Sequence, residues 1–325
     1  MIFVFDLEGP LSPMDHAAEA MRAIGKKVGK DDYFDFFKML SDYDDLLVLE
    51  GKKDYNPGDT LRLIAPIVST QLMNDEIVAI SKSAVLTPGA RDLISSLDKN
   101  DVYVASTSYH QHARTVGAMV GIRPEHINST ELLTYTEFPH LKELEAIYQK
   151  HKTAEKAKKE LDDLFWKKVD PKFLKTRVCG GERKEEVVER VSRSRNAPIS
   201  QFMAVGDSIT DIHMLSRVAR EGGLGISFNG SKFSIEKANI AVSANSLMAL
   251  RPLVDAFPNQ WDFVEKWNSS NGDLKLLKPE TREYFIQHNV RAQYDDLRNR
   301  KNFDDVIGRQ KAMRLELRKE YGKIM

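Results

Sequence analysis

The chain has 325 residues, 42% of them hydrophobic and 30% charged, so it exceeds one average domain and has ample material for a core. Basic and acidic residues balance at 48 each, which argues against a partner such as nucleic acid or an anionic membrane. Cys179 is the single cysteine, which excludes an internal disulfide and a thiolate zinc cluster and fits a reducing compartment. No apolar stretch reaches bilayer length, and the chain reaches Asp6 after the four apolar residues 2–5, so we expect a cytoplasmic protein.

The first predicted element is an apolar strand over residues 2–5, followed directly by Asp6-Leu7-Glu8-Gly9. Because the strand ends here, Asp6 and Glu8 can both turn into one cavity at its carboxyl end. Carboxylates placed so close repel one another unless a cation or a transferable proton lies between them. The pair therefore suits a nucleophile beside an acid/base over a bound metal. For this segment alone, an acidic turn without a function is an equal alternative.

Strands and helices alternate through much of the remaining chain. Residues 14–83 have helical periodicity and turn signals, which predict a helical insertion after the first strand. Short apolar runs at 102–105, 202–205 and 224–228 predict further strands, and helical patterns at 91–97, 184–191 and 211–221 separate them. This alternation predicts an α/β fold with a doubly wound parallel sheet, whose ligands bind beyond the carboxyl ends of the strands.

Acidic residues also follow the strand predicted at 202–205, in the sequence Gly206-Asp207-Ser208-Ile209-Thr210-Asp211. Asp207 comes directly after the strand, and Asp211 falls in the first turn of the next helix. Together with Asp6 they form a set of hard oxygen ligands, which favours magnesium over zinc or copper. Asp and Ser also cap helices, but four acids at two strand ends favour a site, because unpaired buried carboxylates are costly.

Two further residues are candidates for binding a phosphoryl group. Lys184 follows Gly180-Gly181 and begins a helix, where the helix dipole favours anions over cations. A residue type that is unfavourable at its own position suggests a functional role, such as neutralising a phosphoryl group. The alternative is that Lys184 is a surface lysine without a function. Ser106 is the first residue after the second strand and could donate its hydroxyl to a phosphate oxygen.

The chain departs from this alternation in its second half as well. Residues from about 132 to 171 include a charged helical run and predict a second helical insertion. From about residue 258 the chain is polar with scattered aromatics, and it ends in a helix-prone stretch from 304 to 323. We expect the sheet to be complete by about residue 255 and the later aromatics to pack onto the core. A solvated helix is the preferred interpretation of the basic tail, and a docking arm for a protein partner is the alternative.

The motif segments together resemble the haloacid dehalogenase-like (HAD) superfamily, in its phosphatase branch. That family joins a strand with Asp-x-Asp, a strand ending in Ser or Thr, a lysine opening a helix, and a strand ending in Gly-Asp-x-x-x-Asp. The chain supplies these in order, at Asp6 to Gly9, at Ser106, at Lys184 and at Gly206 to Asp211. The resemblance covers roughly residues 1 to 255, less the insertions, and implies the HAD core with a helical cap.

The resemblance also implies roles for individual residues. Asp6 would be the nucleophile that forms an aspartyl-phosphate, and Glu8 would protonate the leaving group and later activate water. Ser106 and Lys184 would hold the phosphoryl oxygens.

The cofactor implied by the resemblance is Mg²⁺. Asp6, the main-chain carbonyl of Glu8, and Asp207 would hold it, with Asp211 as a further ligand or as a support for the others. Glu8 stands where most members have Asp, so that its carboxyl reaches one methylene further. In this respect the chain is similar to a subgroup near phosphoserine phosphatase and phosphoserine:homoserine phosphotransferase. The middle insertion and the C-terminal extension resemble an uncharacterised archaeal branch.

The resemblance implies a Mg²⁺-dependent phosphomonoester hydrolase acting on a small phosphorylated metabolite. Two alternatives stay open: a phosphotransferase to a small alcohol, and an assembly subunit that keeps the fold with little turnover. The predicted domains are a core at 1–13 and 84–257 carrying the insertion at 132–171, a cap at 14–83, and an extension at 258–325.

Overall fold

Seven β-strands form the centre of the computed structural model, which describes residues 1–299 and 302–321. The strands are β1 (Ile2–Phe5), β2 (Val102–Tyr109), β3 (Ile127–Thr130), β4 (Phe202–Gly206), β5 (Leu224–Phe228), β6 (Ile240–Ala244) and β7 (Ala292–Asp296). Their order is β3-β2-β1-β4-β5-β6-β7, and all neighbours are parallel except β6 and β7, which are antiparallel.

Helices precede and follow most strands. The α-helices are α1 (His16–Val28), α2 (Tyr33–Leu49), α3 (Leu61–Gln71), α4 (Asn74–Lys82), α5 (Ala90–Ser95), α6 (His110–Val120), α7 (Leu141–His151), α8 (Ala154–Asp163), α9 (Glu182–Arg195), α10 (Ile212–Arg220), α11 (Lys232–Lys237), α12 (Arg251–Ala256), α13 (Gln260–Ser269), α14 (Pro279–Gln287) and α15 (Phe303–Tyr321). Short 3₁₀-helices lie at Pro124–His126, Pro171–Leu174, Ile199–Gln201, Ile209–Asp211, Leu247–Leu250 and Leu274–Leu276, and a π-helical turn at Leu164–Lys168.

The sheet is buried on both faces, because its strands alternate apolar side chains between two separate clusters. Phe3 and Phe5 join one cluster, with residues of α5, α6, α12 and α13. Ile2 and Val4 join the other, with residues of α9 and α10. The predicted doubly wound α/β fold is therefore confirmed.

The helices after β1 have a hydrophobic cluster of their own, distinct from the two clusters that cover the faces of the sheet. Residues of α1 to α4 share it with residues of α7 and α8, including Leu144 and Leu161. Two chain segments that are far apart in sequence, around 17–77 and 138–173, thus build one helical layer. The second insertion thus packs against the helices of the first. The name cap is used below for the two segments together.

The C-terminal part differs from the expectation in two ways. β7 pairs with β6, so the sheet is not complete by residue 255 and that expectation is wrong. The expectation for the aromatics is confirmed, since Trp267 and Phe285 are buried in the core and Trp261 packs against it. The predicted helix at 304–323 is present as α15, although its last two residues lie outside the described ranges.

Within the described ranges, no single helix is long and apolar enough to cross a membrane. The helices α3 and α4 meet that test only as a pair with a bend of 108° between them, by length and composition alone.

Candidate active site

The site lies where the strand order reverses, at the carboxyl ends of β1 and β4. The chain leaves β1 for β2 on one side and returns to β4 on the other, which opens a crevice between the two strand ends. The backbone N–H of Asp6 donates to the carbonyl of Val205 at 2.8 Å, which fixes the two strand ends in register. Asp6 and Asp207 therefore emerge side by side, and both are almost completely buried.

Lys184 lies at the centre of the site and is completely buried. Its Nζ is 2.8 Å from Oδ2 of Asp6 and 2.7 Å from Oδ1 of Asp211. Burial alone lowers the pKa of an amine, but Asp211 and Asp6 more than offset it and raise the pKa of Lys184 above its ordinary value. The residue is thus a fixed ammonium group in the site rather than a surface lysine.

Asp211 holds the loop after β4 in place. Its Oδ2 accepts hydrogen bonds from the backbone N–H groups of Asp207 and Ser208, at 3.0 and 2.9 Å, and from the Ser208 hydroxyl at 3.1 Å. Its other oxygen binds Lys184. Asp211 therefore orients both Asp207 and the ammonium group.

The donor set fits a divalent cation. One carboxylate oxygen from each of Asp6, Asp207 and Asp211 lies within 4.8 Å of the others, and all three residues are buried. Burial, followed by the charge of Asp211, raises the pKa of Asp6 well above its ordinary value, and burial raises the pKa of Asp207 to about 6. One ammonium thus faces three carboxylates, and the excess negative charge would be relieved by a small cation that prefers oxygen ligands, such as Mg²⁺.

Gly9 is required by the close packing around Asp207. Its φ of +90° is disfavoured for side chains other than hydrogen, and a Cβ built there would lie 2.3 Å from Cγ of Asp207. The glycine after the acidic pair therefore allows the β1 loop to approach the carboxylate of the β4 loop.

Glu8 lies at the start of the cap rather than among the three clustered carboxylates. Its Oε1 accepts the backbone N–H of His16 at 2.8 Å, at the amino end of α1. Burial and the neighbouring charge of Asp15 raise the pKa of Glu8 to about 8. The raised pKa favours the protonated form of this carboxyl, which is the form that can donate a proton.

Ser106 lies inside β2 and is completely buried. Its Oγ accepts the backbone N–H of Ser108 at 3.1 Å, and a hydroxyl keeps one hydrogen that it can donate. The residues that line the cavity from this strand are its successors Thr107, Ser108 and Tyr109.

A cavity of about 430 Å³ separates the strand ends from the cap. Asp6, Glu8 and Asp207 line its floor, while Asp42 and Asp45 of α2 line it from the cap. The cap approaches the core closely at Gly180, where a Cβ would lie 2.2 Å from the carbonyl oxygen of Pro57. The ion pair of Arg183 with buried Asp59, at 2.6 Å, joins the two layers at the same place. Gly180, four residues before Lys184, is therefore a point of close contact between the core and the cap.

The sequence prediction missed two residues of the cavity wall, Arg314 and Arg318 of α15. The Nε of Arg314 donates to the carbonyl of Asn229 at 2.7 Å, and its Nη2 donates to the carbonyl of Asp207 at 3.1 Å. The C-terminal extension thus contributes side chains to the cavity wall besides the residues of the four motifs. The interpretation of the tail as a solvated helix is wrong for this face of α15. The available signal was the spacing of Gln310, Arg314 and Arg318, which places them on one helix face.

Two solved structures show what this fold is similar to. The gene product AF1437 from Archaeoglobus fulgidus is 25% identical with a TM-score of 0.80, covering 99% of this chain and 98% of that one. A substrate-bound phosphoserine phosphatase is 18% identical with a TM-score of 0.51, covering 78% of this chain and 96% of that one. No protein-family model and no curated protein matches the sequence.

The chain thus shares its fold with a phosphoserine phosphatase, which is the fold that the resemblance to the haloacid dehalogenase-like superfamily predicts. The resemblance predicted from the four motifs is confirmed at the level of the fold. The structure brings Asp6, Lys184, Asp207 and Asp211 together, while Glu8 flanks them and Ser106 is buried behind the cavity wall.

Proposed function

We propose that the protein is a Mg²⁺-dependent phosphomonoester hydrolase that acts on a small phosphorylated metabolite through an aspartyl-phosphate. The observation that carries this proposal is the completely buried ammonium of Lys184 between Asp6 and Asp211, beside Asp207 and under a capped cavity. A phosphoryl group needs positioning and charge neutralisation more than it needs covalent chemistry from other groups. A buried cluster of one ammonium and three carboxylates suits that task.

In the first half-reaction, a carboxylate oxygen of Asp6 attacks phosphorus and the bond from phosphorus to the leaving oxygen breaks. Glu8, protonated because of its raised pKa, gives its proton to the departing alcohol. In the second half-reaction, water attacks the aspartyl-phosphate, Glu8 accepts a proton from it, and Asp6 and inorganic phosphate are released.

Lys184 and the metal ligands support both steps. The ammonium of Lys184 lies within contact of the Asp6 carboxylate and balances charge on the phosphoryl oxygens. Asp6, Asp207 and the main-chain carbonyl of Glu8 would hold Mg²⁺, with Asp211 orienting Asp207. When bound, the ion would supply Lewis-acid neutralisation of the phosphoryl charge.

The same covalent intermediate could pass its phosphoryl group to an alcohol instead of water. Product analysis with added small alcohols, homoserine among them, distinguishes transfer from hydrolysis. An assembly subunit without turnover has no use for a buried Lys184 bound to two carboxylates, since taking charged groups out of water is costly even when they are paired.

The test is hydrolysis of p-nitrophenyl phosphate with and without Mg²⁺, by the native chain and by Asp6→Asn. The amide keeps the shape of the side chain but cannot act as nucleophile, so turnover should be lost and no phosphoryl group should appear on residue 6 in peptide mass spectrometry. Asp35→Asn, the same change at an exposed position of α2, is the matched control and should retain activity. Asp6→Asn activity within about tenfold of the native value would contradict the covalent mechanism.

A further inference from the structure

The helix α15 is anchored to the core by a polar contact as well as by apolar ones. Val306 and Leu317 are buried, and Gln310 is completely buried between them in sequence. The side-chain oxygen of Gln310 accepts the backbone N–H of Gly230, and its nitrogen donates to Oγ of Ser243 at 2.9 Å. A buried amide with both ends paired fixes the rotation and the position of the helix, because slippage would leave buried polar groups unpaired.

This anchor determines where the next turns of the same face lie. Residues four apart are neighbours on a helix surface, so Arg314 and Arg318 follow Gln310 along one stripe. Arg314 reaches the carbonyls of Asn229 and Asp207, and its Nε is 3.9 Å from Oδ2 of Asp207. It is therefore held against the loop that carries a proposed metal ligand.

Arg318 lies one turn further along and lines the same cavity. It is exposed, and among the residues whose side chains the structure describes, 1–299 and 302–319, no carboxylate lies within ion-pair distance of it. Four residues of helix separate it from Arg314 by about 6 Å along the axis. Its charge acts on the cavity, since it partly offsets the rise that burial causes in the pKa of Asp15.

The charges of the cavity are thus divided between its walls. Asp15, Asp42 and Asp45 contribute carboxylates from the cap side, and Arg314 and Arg318 are the arginines that line the cavity among the described residues. Lys184 and a bound cation would already neutralise the phosphoryl group at the floor. A second, unpaired guanidinium beside that position has room for a further anionic group, because its planar donors match carboxylate and phosphate oxygens.

We propose that Arg318, placed beside Arg314 on α15, forms a second anion subsite of this cavity, and that the substrate carries a carboxylate or a second phosphate on a short carbon skeleton besides the phosphoryl group that is removed. This inference rests on the proposed function and adds the chemical class of the substrate. Arg314 acts as a positioning residue that fixes the wall, and Arg318 contacts the ligand.

The test uses three ligands that share a three-carbon skeleton and one phosphate: glycerol 3-phosphate, 3-phosphoglycerate and glycerol 1,3-bisphosphate. They differ only at the end of the skeleton remote from the shared phosphate, which is an alcohol group, a carboxylate group or a second phosphate group. Dissociation constants are measured by titration calorimetry with Mg²⁺, on full-length protein carrying Asp6→Asn so that turnover does not consume the ligand. In this background, Arg318→Ala is compared with Arg318→Lys and with Lys319→Ala, which removes an equal charge from the adjacent exposed residue outside the cavity lining.

We expect at least one of the two ligands with a second anionic group to bind about tenfold or more tighter than glycerol 3-phosphate. A hydrogen bond between charged groups contributes a free energy of that size. Arg318→Ala should reduce that ratio to near one, whereas Arg318→Lys should keep part of it and Lys319→Ala all of it. The ligand with the larger loss identifies the second group as carboxylate or phosphate.

Three results would overturn the inference. An unchanged ratio in Arg318→Ala would show that the guanidinium does not meet the second anion. An equal loss in Lys319→Ala would reduce the effect to the general charge of the helix, and an equal loss for all three ligands would assign Arg318 to the shared phosphate. If glycerol 3-phosphate binds normally in these cases, the proposed function stands. If none of the three ligands binds the Asp6→Asn protein, the inference is overturned as well; the proposed function then stands if the native chain still hydrolyses p-nitrophenyl phosphate with Mg²⁺, and fails if it does not.

Discussion

Replacing Lys184 by methionine tests the electrostatic arrangement of the site most directly, because methionine keeps the length of the apolar stem and removes the charge. The native ammonium is completely buried and lies 2.8 and 2.7 Å from the carboxylates of Asp6 and Asp211. Removing one partner of a buried ion pair costs about 3–5 kcal/mol, since the remaining charge is left uncompensated. Two carboxylates depend on this ammonium, so we expect a loss of unfolding free energy in the upper part of that range.

The chain offers a matched control on its surface. Lys158 also lies between two carboxylates, 2.9 Å from Glu50 and 2.7 Å from Asp162, but its side chain is 23% exposed. Exposed ion pairs contribute roughly 0.2–1 kcal/mol. The variant Lys158→Met should therefore lose far less stability than Lys184→Met, although the distances are nearly the same.

Urea unfolding followed by circular dichroism measures both variants, and p-nitrophenyl phosphate hydrolysis measures turnover. The pH dependence has a definite sign. Burial and Asp211 raise the pKa of Asp6, and Lys184 is the group that lowers it, so its removal raises the folded-state pKa further. A group with a raised folded-state pKa loses its stabilising effect as the pH rises. The loss of unfolding free energy in Lys184→Met, relative to the native chain, should therefore be larger at about pH 8 than at about pH 5. Equal destabilisation by the two variants, or a deficit that shrinks with rising pH, would refute this account of Lys184.

Four further outcomes are expected. Glu8→Gln should slow hydrolysis of alkyl phosphates by about a hundredfold or more, and hydrolysis of aryl phosphates much less. The native chain should lose alkyl-phosphate turnover above about pH 8, the range set by the pKa of Glu8, and the variant should not show this fall. Equal losses on both substrates would exclude Glu8 as the acid. Chelation should remove activity that Mg²⁺ restores and Ca²⁺ does not, because Ca²⁺ prefers looser and higher coordination; full activity after chelation would contradict the metal assignment. Gly9→Ala should weaken Mg²⁺ binding in calorimetry, since its Cβ would meet the Asp207 carboxylate, and native affinity would argue against Asp207 as a ligand. A chain ending at residue 302, which retains β7, should fold cooperatively but lose most turnover because Arg314 no longer holds the Asp207 loop; retained turnover would make α15 dispensable for catalysis.

The sequence by itself determined four of the seven strands and the acidic residues at two of their ends. Strands buried on both faces are nearly continuous apolar runs, and parallel strands bring their carboxyl ends to one edge, so Asp6 and Asp207 could be placed near one another without coordinates. The same reasoning missed β3 and β7, because edge strands such as Ile127–Thr130 and Ala292–Asp296 carry too many polar residues to form an apolar run. It also missed β6, which was not distinguished from its surroundings.

Only the tertiary structure decided how the added segments complete the site. Lys184 is an ordinary charged residue in sequence, and its burial follows from two carboxylates that arrive from β1 and from the loop after β4. The second insertion joins the cap because its apolar residues find partners in α1 to α4 rather than on the sheet. Arg314 and Arg318 reach the cavity because Gln310 fixes α15 in a polar socket made by residues 67 and 80 positions away in sequence. Such contacts between distant polar groups leave no periodic apolar pattern, so the fold alone brings the last helix to the candidate active site.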